Sequence, residues 1–200
     1  MKLLSIIMAT ILSTMGCTTL SLQERTSINN GEGIMPVMSI ENEADSLLLR
    51  KKSKPLRKRD ILSKEFATLC HRMLLTVQNP ENEGVGIAAP QVGILRRVVI
   101  VQRVDKEDMP FEIYVNPKIV EYGENKELGG EGCLSVPNRR GDVLRSHSIT
   151  LRYRDMNFKL HTEDIHGFTA VIFQHEIDHL DGILYIDRFN EEAAEEMTAQ

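Results

Sequence analysis

Gln174-His175-Glu176-Ile177-Asp178-His179 places two histidines four residues apart, with a glutamate directly after the first. The motif lies in the segment Phe168 to Leu180, where apolar residues recur at helical spacing, and Gly182 follows as a residue that can form a left-handed C-cap. Residues four apart share one face of a helix, so His175 and His179 can both reach one metal ion. Glu176 sits one step round the helix and can reach a water molecule at that ion.

A catalytic metal site of this kind needs a third protein ligand. His179 is the last histidine of the chain, which excludes the metalloproteases whose third ligand is a later histidine. Two sources of the third ligand remain. The C-terminal tail offers the acidic residues Glu191, Glu192, Glu195 and Glu196. A glycine-rich stretch upstream offers the thiol of Cys133, which a close backbone approach could bring to the same ion.

The composition is that of one folded domain. The chain has 200 residues, of which 42% are hydrophobic and 26% charged. Its formal net charge of -5 lacks the overall basic excess that would indicate DNA binding. Three cysteines are too few for a disulfide framework, and Cys70, which borders an apolar helical stripe, is interpreted as a small buried hydrophobe.

The first residues predict a targeting segment. Lys2 precedes an apolar stretch from Leu3 to Met15, which is too short to span a bilayer, and Cys17 follows a glycine. This pattern resembles a bacterial lipoprotein signal in which Cys17 would be lipidated. The predicted organisation is therefore a leader over 1–17, a linker over 18–38, a catalytic domain over 39–190 and an acidic C-terminal helix or tail over 191–200.

A basic run follows the predicted linker. Seven of the ten residues from Arg50 to Arg59 are Lys or Arg. Such a run is typical of a solvated surface segment, and its charge would also suit anionic lipid or ribosomal RNA.

The hydrophobic pattern predicts an α+β fold. Asp60 is expected to cap a helix that ends near Val77, with a buried apolar stripe that includes Leu62. Short strands are expected at 97–102, 112–116, 118–122, 148–154 and 158–162. Because the strands are segregated between the two main helices, we expect mixed or antiparallel strands packed around a central helix that carries the histidine motif.

Three segments together resemble the motifs of the peptide deformylases, in the same order along the chain. They are Gly84-Val85-Gly86-Ile87-Ala88-Ala89-Pro90-Gln91, Glu131-Gly132-Cys133-Leu134-Ser135 and Gln174-His175-Glu176-Ile177-Asp178-His179. The resemblance extends from about Met38 to Phe189. It implies a mixed sheet around a central helix, in agreement with the order of elements above.

The resemblance implies a role for each motif. Cys133, His175 and His179 would bind one divalent ion, Fe(II) in the cell, with Zn or Ni present in the isolated protein. Glu176 would be the general base, and the side-chain amide of Gln91 and the backbone N–H of Leu134 would stabilise the developing oxyanion. Formate and a free N-terminal methionine would be the products.

The resemblance also implies the substrate contacts. N-formyl-methionyl peptides, as nascent chains if the protein is cytoplasmic, would pair with the backbone of Gly84 to Gly86. A methionine pocket would be lined by Val85, Phe168, Val171 and Ile172. Arg140 is expected to orient Glu131 or the substrate backbone, or to form a purely structural pair.

Location depends on the start of translation. A start near Met35 or Met38 would give a cytoplasmic enzyme, whereas use of the leader would give a lipoprotein anchored to the membrane through Cys17. Family members often end in a basic helix suited to ribosome contact, but this chain ends in an acidic one, which disfavours that contact.

Other classes of function fit parts of the sequence. One alternative is an exported zinc peptidase, with a ligand from the acidic tail, or an amidase that acts on other N-acyl peptides. Another is a lipoprotein that binds a metal or a partner without catalysis. These classes differ in whether they require Cys133 and Glu176.

Overall fold

The structure, a computed structural model, describes residues 20–82 and 84–189. The helices are α1 (Leu22–Asn29), α2 (Glu43–Leu49), α3 (Lys58–Ile61), α4 (Lys64–Val77) and α5 (Gly167–Asp181), and residues 185–189 are also helical. The strands are β1 (Gly86–Ala88), β2 (Val98–Gln102), β3 (Phe111–Tyr122), β4 (Lys126–Cys133), β5 (Val136–Ser146), β6 (Ser148–Arg154) and β7 (Leu160–His166). Within the described part of the chain, no helix has the length and apolar character needed to cross a membrane. The predicted leader, including Cys17, and the predicted acidic helix over 191–200 lie outside the described residues.

Five strands form one antiparallel sheet in the order β1-β2-β3-β6-β7, which leaves β1 at an edge. The other two strands, β4 and β5, form a separate antiparallel hairpin whose connection is Leu134 and Ser135. Helices pack on the sheet, so the predicted α+β fold is confirmed.

Strand β2 separates two hydrophobic cores. Successive side chains of a strand point to opposite faces, and here Val98 and Ile100 belong to the core that includes α4, whereas Val99 and Val101 belong to the core that includes α5. Phe173 of α5 is fully buried in the second core, where each such side chain contributes roughly 1.5–3 kcal/mol. Since α5 also contacts β1 and β5, its position relative to both sheets is fixed.

The predicted helix from Asp60 to Val77 is in fact two helices. The chain breaks after α3, and Ser63 caps α4 by accepting a hydrogen bond from Phe66 N at 3.2 Å. Leu62, predicted in the buried stripe, lies at the break and is 60% exposed. Asp60 is buried and accepts a hydrogen bond from Leu20 N at 3.2 Å, so it joins the helix start to the N-terminal segment. The predicted end at Val77 is correct.

The linker predicted over 18–38 is wrong for residues 20–38. This segment contains α1, and Leu20, Ile28 and Met35 are buried in the same core as α4. The pattern of α1 did not reveal this, because α1 buries a single residue, Ile28, and has no apolar stripe. Polar contacts hold it instead: Glu24 receives two hydrogen bonds from Arg96, and Met35 N donates to Thr76 Oγ1 at 2.8 Å.

The strand predictions were partly correct. The strands at 97–102 and 148–154 correspond to β2 and β6, whereas 112–116 and 118–122 are one strand, β3, with irregular pairing between the two halves. The strand predicted at 158–162 begins later, as β7. The hairpin β4–β5 was not predicted, because β4 is glycine-rich and mostly exposed and lacks an apolar alternation.

Candidate functional site

Helix α5 presents both histidines of the motif to one point. It begins after β7 at Gly167, which has φ 61°, and ends at Gly182, which has the predicted left-handed conformation with φ 77°. The imidazole rings of His175 and His179 are 5.0 Å apart between centroids. The spacing of four residues therefore has the consequence predicted for it, two ring nitrogens on one face of the helix.

The end of β4 brings Cys133 to the same point. Its Sγ lies 3.2 Å from His179 Nε2, and one ligand atom from each of Cys133, His175 and His179 lies within 4.8 Å of the others. The tight connection between β4 and β5 starts at the next residue, so the backbone geometry of the hairpin fixes the position of the thiol. Of the two sources of a third ligand, the structure brings Cys133 to the histidines, and the tail lies outside the described residues.

The surroundings of Cys133 favour the thiolate. Burial by itself raises the pKa of the thiol, but the adjacent imidazoles of His179 and His175 outweigh it and hold the pKa well below its usual value. Cys70 shows the opposite case: it is buried among apolar side chains, and burial raises its pKa to about 12. The interpretation of Cys70 as a buried hydrophobe is thus confirmed.

A network of buried charges supports His175. Its Nδ1 donates to Glu131 Oε2 at 2.7 Å, and Arg145 donates to both oxygens of Glu131 at 2.7 and 3.1 Å. Arg145 also donates to Asp178 at 2.6 Å, and Arg188 donates to Asp178 at 2.6 and 2.7 Å. Burial raises the pKa of Glu131, but the hydrogen bonds from His175 and Arg145 outweigh it and lower the pKa to about 2. The His175 ring is therefore oriented by an ionised carboxylate.

Sequence reasoning missed Arg145. Arg140 was the residue expected to orient Glu131, but Arg140 faces Gly132 across the hairpin, and Arg145 is the arginine that pairs with Glu131. Gly141 is the direct strand partner of Glu131, four residues before Arg145, so the strand register alone does not predict the contact. Arg145 reaches Glu131 through the guanidinium group at the end of its long side chain.

Glu176 is buried beside the cluster. It is 4% exposed, and its Oε2 has no hydrogen-bond partner among the residues that the structure describes. Burial raises its pKa to about 7, although His175 and His179 act in the opposite direction. Gly86 makes room for this carboxyl group, because a Cβ there would lie 2.5 Å from Glu176 Oε1.

Gln91 lies in the short 3-10 helix Ala89–Val92, directly after β1, and its side chain is held at both ends. Its Oε1 accepts a hydrogen bond from Ala88 N at 2.9 Å, which turns Nε2 toward Cys133 Sγ at 3.6 Å and Ser135 Oγ at 3.4 Å. The amide N–H group therefore faces the cluster. Leu134, whose backbone N–H was the other predicted donor, directly follows Cys133 at the start of the β4–β5 connection.

These residues meet at an open cavity of about 650 Å³. The predicted residues that line it are Gly84, Val85, Gly86, Gln91, Cys133, Leu134, Phe168, Val171, Ile172, His175 and Glu176. His179 is 1% exposed and is not part of the lining. Asn82, Arg139 and Arg140 also line the cavity, and sequence reasoning gave no cavity role to the first two. Ile172 belongs to the core of α5 as well, whereas Phe168 is 56% exposed at the rim.

An α+β fold that places one thiol, two imidazoles and a buried carboxyl group at a cavity of this size has the groups that a hydrolase with a single metal site requires. The sequence model of the polypeptide deformylase family matches residues 34–195. Peptide deformylase of Chlorobium luteolum is 40% identical over 158 residues, which cover 78% of this chain and 78% of that protein. Peptide deformylase of Halothermothrix orenii is 40% identical over 154 residues, which cover 77% of this chain and 94% of that protein.

Solved structures give the same result. The crystal structure of a class I type b peptide deformylase from Acinetobacter baumannii with Met-Ala-Ser bound is 35% identical, with a TM-score of 0.69 over 79% of this chain and 99% of that chain. This chain belongs to the polypeptide deformylase family. It is a hydrolase that uses a single catalytic metal to remove the N-terminal formyl group from formyl-methionyl peptides, with release of formate.

Proposed function

We propose that Cys133, His175 and His179 are the ligands of the catalytic metal, with Fe(II) bound in the cell and Zn or Ni in the isolated protein. The observation that carries this assignment is that one ligand atom from each of the three residues lies within 4.8 Å of the others. The donor set fits the group, since one thiolate and two imidazoles suit a first-row divalent ion. A bound ion supplies Lewis acidity, which activates water near neutral pH and polarises the formyl carbonyl group.

Glu176 is the proposed general base. Its Oε2 has no hydrogen-bond partner within the described part of the chain, and its pKa is about 7. Both features suit a carboxyl group that takes a proton from the attacking water and returns it to the leaving amine. The side chain sits against Gly86, so its position is fixed by packing.

The side-chain amide of Gln91 and the backbone N–H of Leu134 are the proposed donors to the formyl oxygen as it becomes negative. The hydrogen bond from Ala88 N to Gln91 Oε1 supports this role, because it fixes which end of the amide faces the cavity. The Gln91 amide is therefore already oriented in the absence of substrate, which supports its proposed role.

The substrate is proposed to lie extended along β1. This strand is an edge of the five-stranded sheet, and the backbone of Gly84 to Gly86 reaches the cavity wall, so a peptide can add to it as a further strand. Val85, Phe168, Val171 and Ile172 would hold the methionine side chain. The Met-Ala-Ser ligand of the Acinetobacter baumannii structure supports a substrate of this length and character.

The longer form of the chain is the one we propose to be the working enzyme. A start at Met35 or Met38 would remove α1 and the buried side chain of Ile28, which belong to the packed core. The packing of α1 supports a start before residue 22, whereas the apolar stretch Leu3 to Met15 is the feature that supports use of the leader, lipidation of Cys17 and membrane attachment. Cell fractionation with an antibody to the catalytic domain, for wild type and for Cys17→Ala, tests it: a protein found only in the cytoplasmic fraction would contradict it. The acidic residues after Phe189 disfavour ribosome contact through the C-terminus.

Formate release from formyl-Met-Ala-Ser by the full chain, prepared anaerobically with Fe(II), tests the roles in the site. Glu176→Ala is expected to lower kcat by about 10²-fold to 10⁴-fold, because it removes general-base catalysis. Cys133→Ser is expected to lose bound metal as well as activity. Cys70→Ser is the matched control and should retain both.

The result also distinguishes the alternatives. A zinc peptidase with a ligand from the tail would keep its metal in Cys133→Ser and lose it when Glu191, Glu192, Glu195 and Glu196 are changed to Gln. If Glu176→Ala retains full activity with the metal bound, Glu176 is not the general base.

A further inference from the structure

The basic run Arg50 to Arg59 borders a groove on the surface. The groove has a volume of about 550 Å³ and shares no lining residue with the catalytic cavity. Its lining is Pro55, Arg97, Asn116, Pro117, Lys118, Arg152, Arg154, Leu160 and Asp181. Four of these side chains carry a positive charge and one carries a negative charge, in a chain whose net charge is -5. The groove therefore carries a positive charge, although the chain as a whole carries a negative one.

Two of the cationic side chains lie opposite each other, and no negative charge in the described part of the chain pairs with either of them. Lys118 and Arg152 are direct partners in the β3–β6 register, and both are exposed. Neither side chain forms an ion pair with a carboxylate of the described residues. Like charges directly opposite each other destabilise a sheet, so this pair costs stability that an anionic ligand would offset.

The other two cations are held in place. Arg97 pairs with Asp181 at 2.7 Å and donates to Pro117 O at 3.2 Å. Arg154 lies 4.0 Å above the ring of Phe158. The groove thus combines two fixed guanidinium groups with two cations that are free to bind.

The middle of the basic run adjoins the groove. Leu56 exchanges two hydrogen bonds of 2.8 Å with the side chain of Asn116, and Lys54 pairs through its backbone with Arg97. Lys51, Lys52, Lys54, Lys58 and Arg59 are all exposed. We call this surface, the run together with the groove, the basic face.

The N-terminal part of the chain meets this face. Leu20, the first described residue, donates its N–H to Asp60, which directly follows Lys58 and Arg59. The described part of the chain therefore begins next to the basic run, and the sequence of residues 1–19 contains the apolar stretch Leu3 to Met15. A chain that combines a cluster of basic residues with an apolar stretch has the two features that together bind a membrane containing anionic lipid.

We propose that the basic face docks the enzyme on a membrane surface that contains anionic phospholipid. The phosphates of the lipid headgroups would occupy the groove between Lys118 and Arg152, and the exposed lysines of the run would add long-range attraction. Single-stranded nucleic acid is the less suitable ligand, because its sites stack bases on aromatic side chains and the groove lining contains none. Because the groove and the catalytic cavity share no lining residue, headgroups bound in the groove would not occupy the space for formylated peptides.

Vesicle co-sedimentation of the full chain tests the proposal. Vesicles of phosphatidylcholine alone are compared with vesicles that also contain phosphatidylglycerol, so that insertion of the apolar stretch contributes to both and the difference reports the basic face. Lys118→Glu and Arg152→Glu are each expected to lower the partition coefficient on the anionic vesicles about fivefold or more, since each basic residue near the surface contributes roughly 1 kcal/mol. Added salt should reduce the wild-type preference.

Lys126→Glu is the matched control, because Lys126 is also an exposed strand lysine but lies outside the groove. It should leave the preference for anionic vesicles nearly unchanged. All three variants should release formate from formyl-Met-Ala-Ser at the wild-type rate, which shows that they are folded.

Three results would overturn the proposal. One is equal binding of the wild type to both kinds of vesicle. Another is a loss in Lys126→Glu as large as that in Lys118→Glu, which would mean that net charge rather than this face is responsible. The third is tight, salt-sensitive binding of a labelled oligouridylate that Lys118→Glu abolishes, without any preference for anionic vesicles, which would assign the face to RNA.

Discussion

Two buried arginines hold different regions of this protein by different means. Arg72 of α4 and Arg145 of β5 are each 4% exposed. Arg72 donates to neutral acceptors, the backbone carbonyl oxygens of residues 27, 28, 30, 33 and 34. Arg145 donates to the carboxylates of Glu131 and Asp178.

The difference matches what each region does. The carbonyl groups that Arg72 binds belong to the end of α1 and the residues after it, where a helix leaves carbonyl groups without partners. One side chain therefore contributes five of the polar contacts that hold a segment with little apolar surface. Arg145 instead fixes two carboxylates that lie beside the histidines of the metal site, and its effect extends to the orientation of His175.

Removal of Arg145 should have the largest effect. Arg145→Met leaves Glu131 and Asp178 buried with one cationic partner fewer each, and we expect the free energy of unfolding to fall by about 3–5 kcal/mol. Metal affinity should fall by roughly 10-fold to 100-fold, because the partner of His175 loses its support. Urea unfolding and metal titration of the purified protein measure the two effects. Unchanged metal affinity would mean that the network is structural only.

Removal of Arg72 should have a smaller effect, limited to its own region. Arg72→Met leaves several carbonyl groups without their donor, and we expect a loss of about 2–3 kcal/mol together with faster proteolysis between residues 20 and 34. Arg59→Met, at an exposed arginine, is the control. Metal affinity should stay at the wild-type value. A fall in metal affinity as large as that of Arg145→Met would contradict the claim that the effect of Arg72 is limited to its own region.

The two regions should also differ in their response to pH. The pKa of Glu131 is about 2 in the folded protein and about 4.5 in the unfolded chain, so its contribution is present above pH 4.5 and is lost as the pH falls through 2. The difference in unfolding free energy between wild type and Glu131→Gln, measured without metal, should be on the order of 3 kcal/mol at pH 7 and should shrink over that range. The corresponding difference for Arg72→Met should stay constant there, because backbone carbonyl groups do not titrate.

The smallest effect is expected at the other end of α1. Glu24 receives two hydrogen bonds from Arg96 but is itself partly exposed, so Glu24→Gln should cost about 1 kcal/mol. Thermal unfolding with and without added salt measures this cost. A loss equal to that of Arg72→Met would mean that the ion pair, rather than the carbonyl contacts, holds the segment.

Sequence patterns predicted the elements whose residues repeat at a regular spacing. The apolar alternation of β6 and the helical spacing of α5 gave nearly correct bounds, because these periods reflect burial on one face. The hairpin β4–β5 has no such period and was missed, although Cys133 at its end was identified through its motif. Helix α1 was predicted as linker, because polar contacts with residues far along the chain, rather than an apolar stripe, hold it in place.

The sequence by itself determined the local part of the site. A spacing of four residues in a helix puts His175 and His179 on one face whatever surrounds them, since the helical period depends only on the backbone. The tertiary structure decided which groups meet that face: it brings Cys133 and Glu131 from a separate hairpin, makes Arg145 rather than Arg140 the partner of Glu131, and packs α1 onto α4. These contacts join residues far apart in the chain, and their energies depend on burial and distance, which no local pattern specifies.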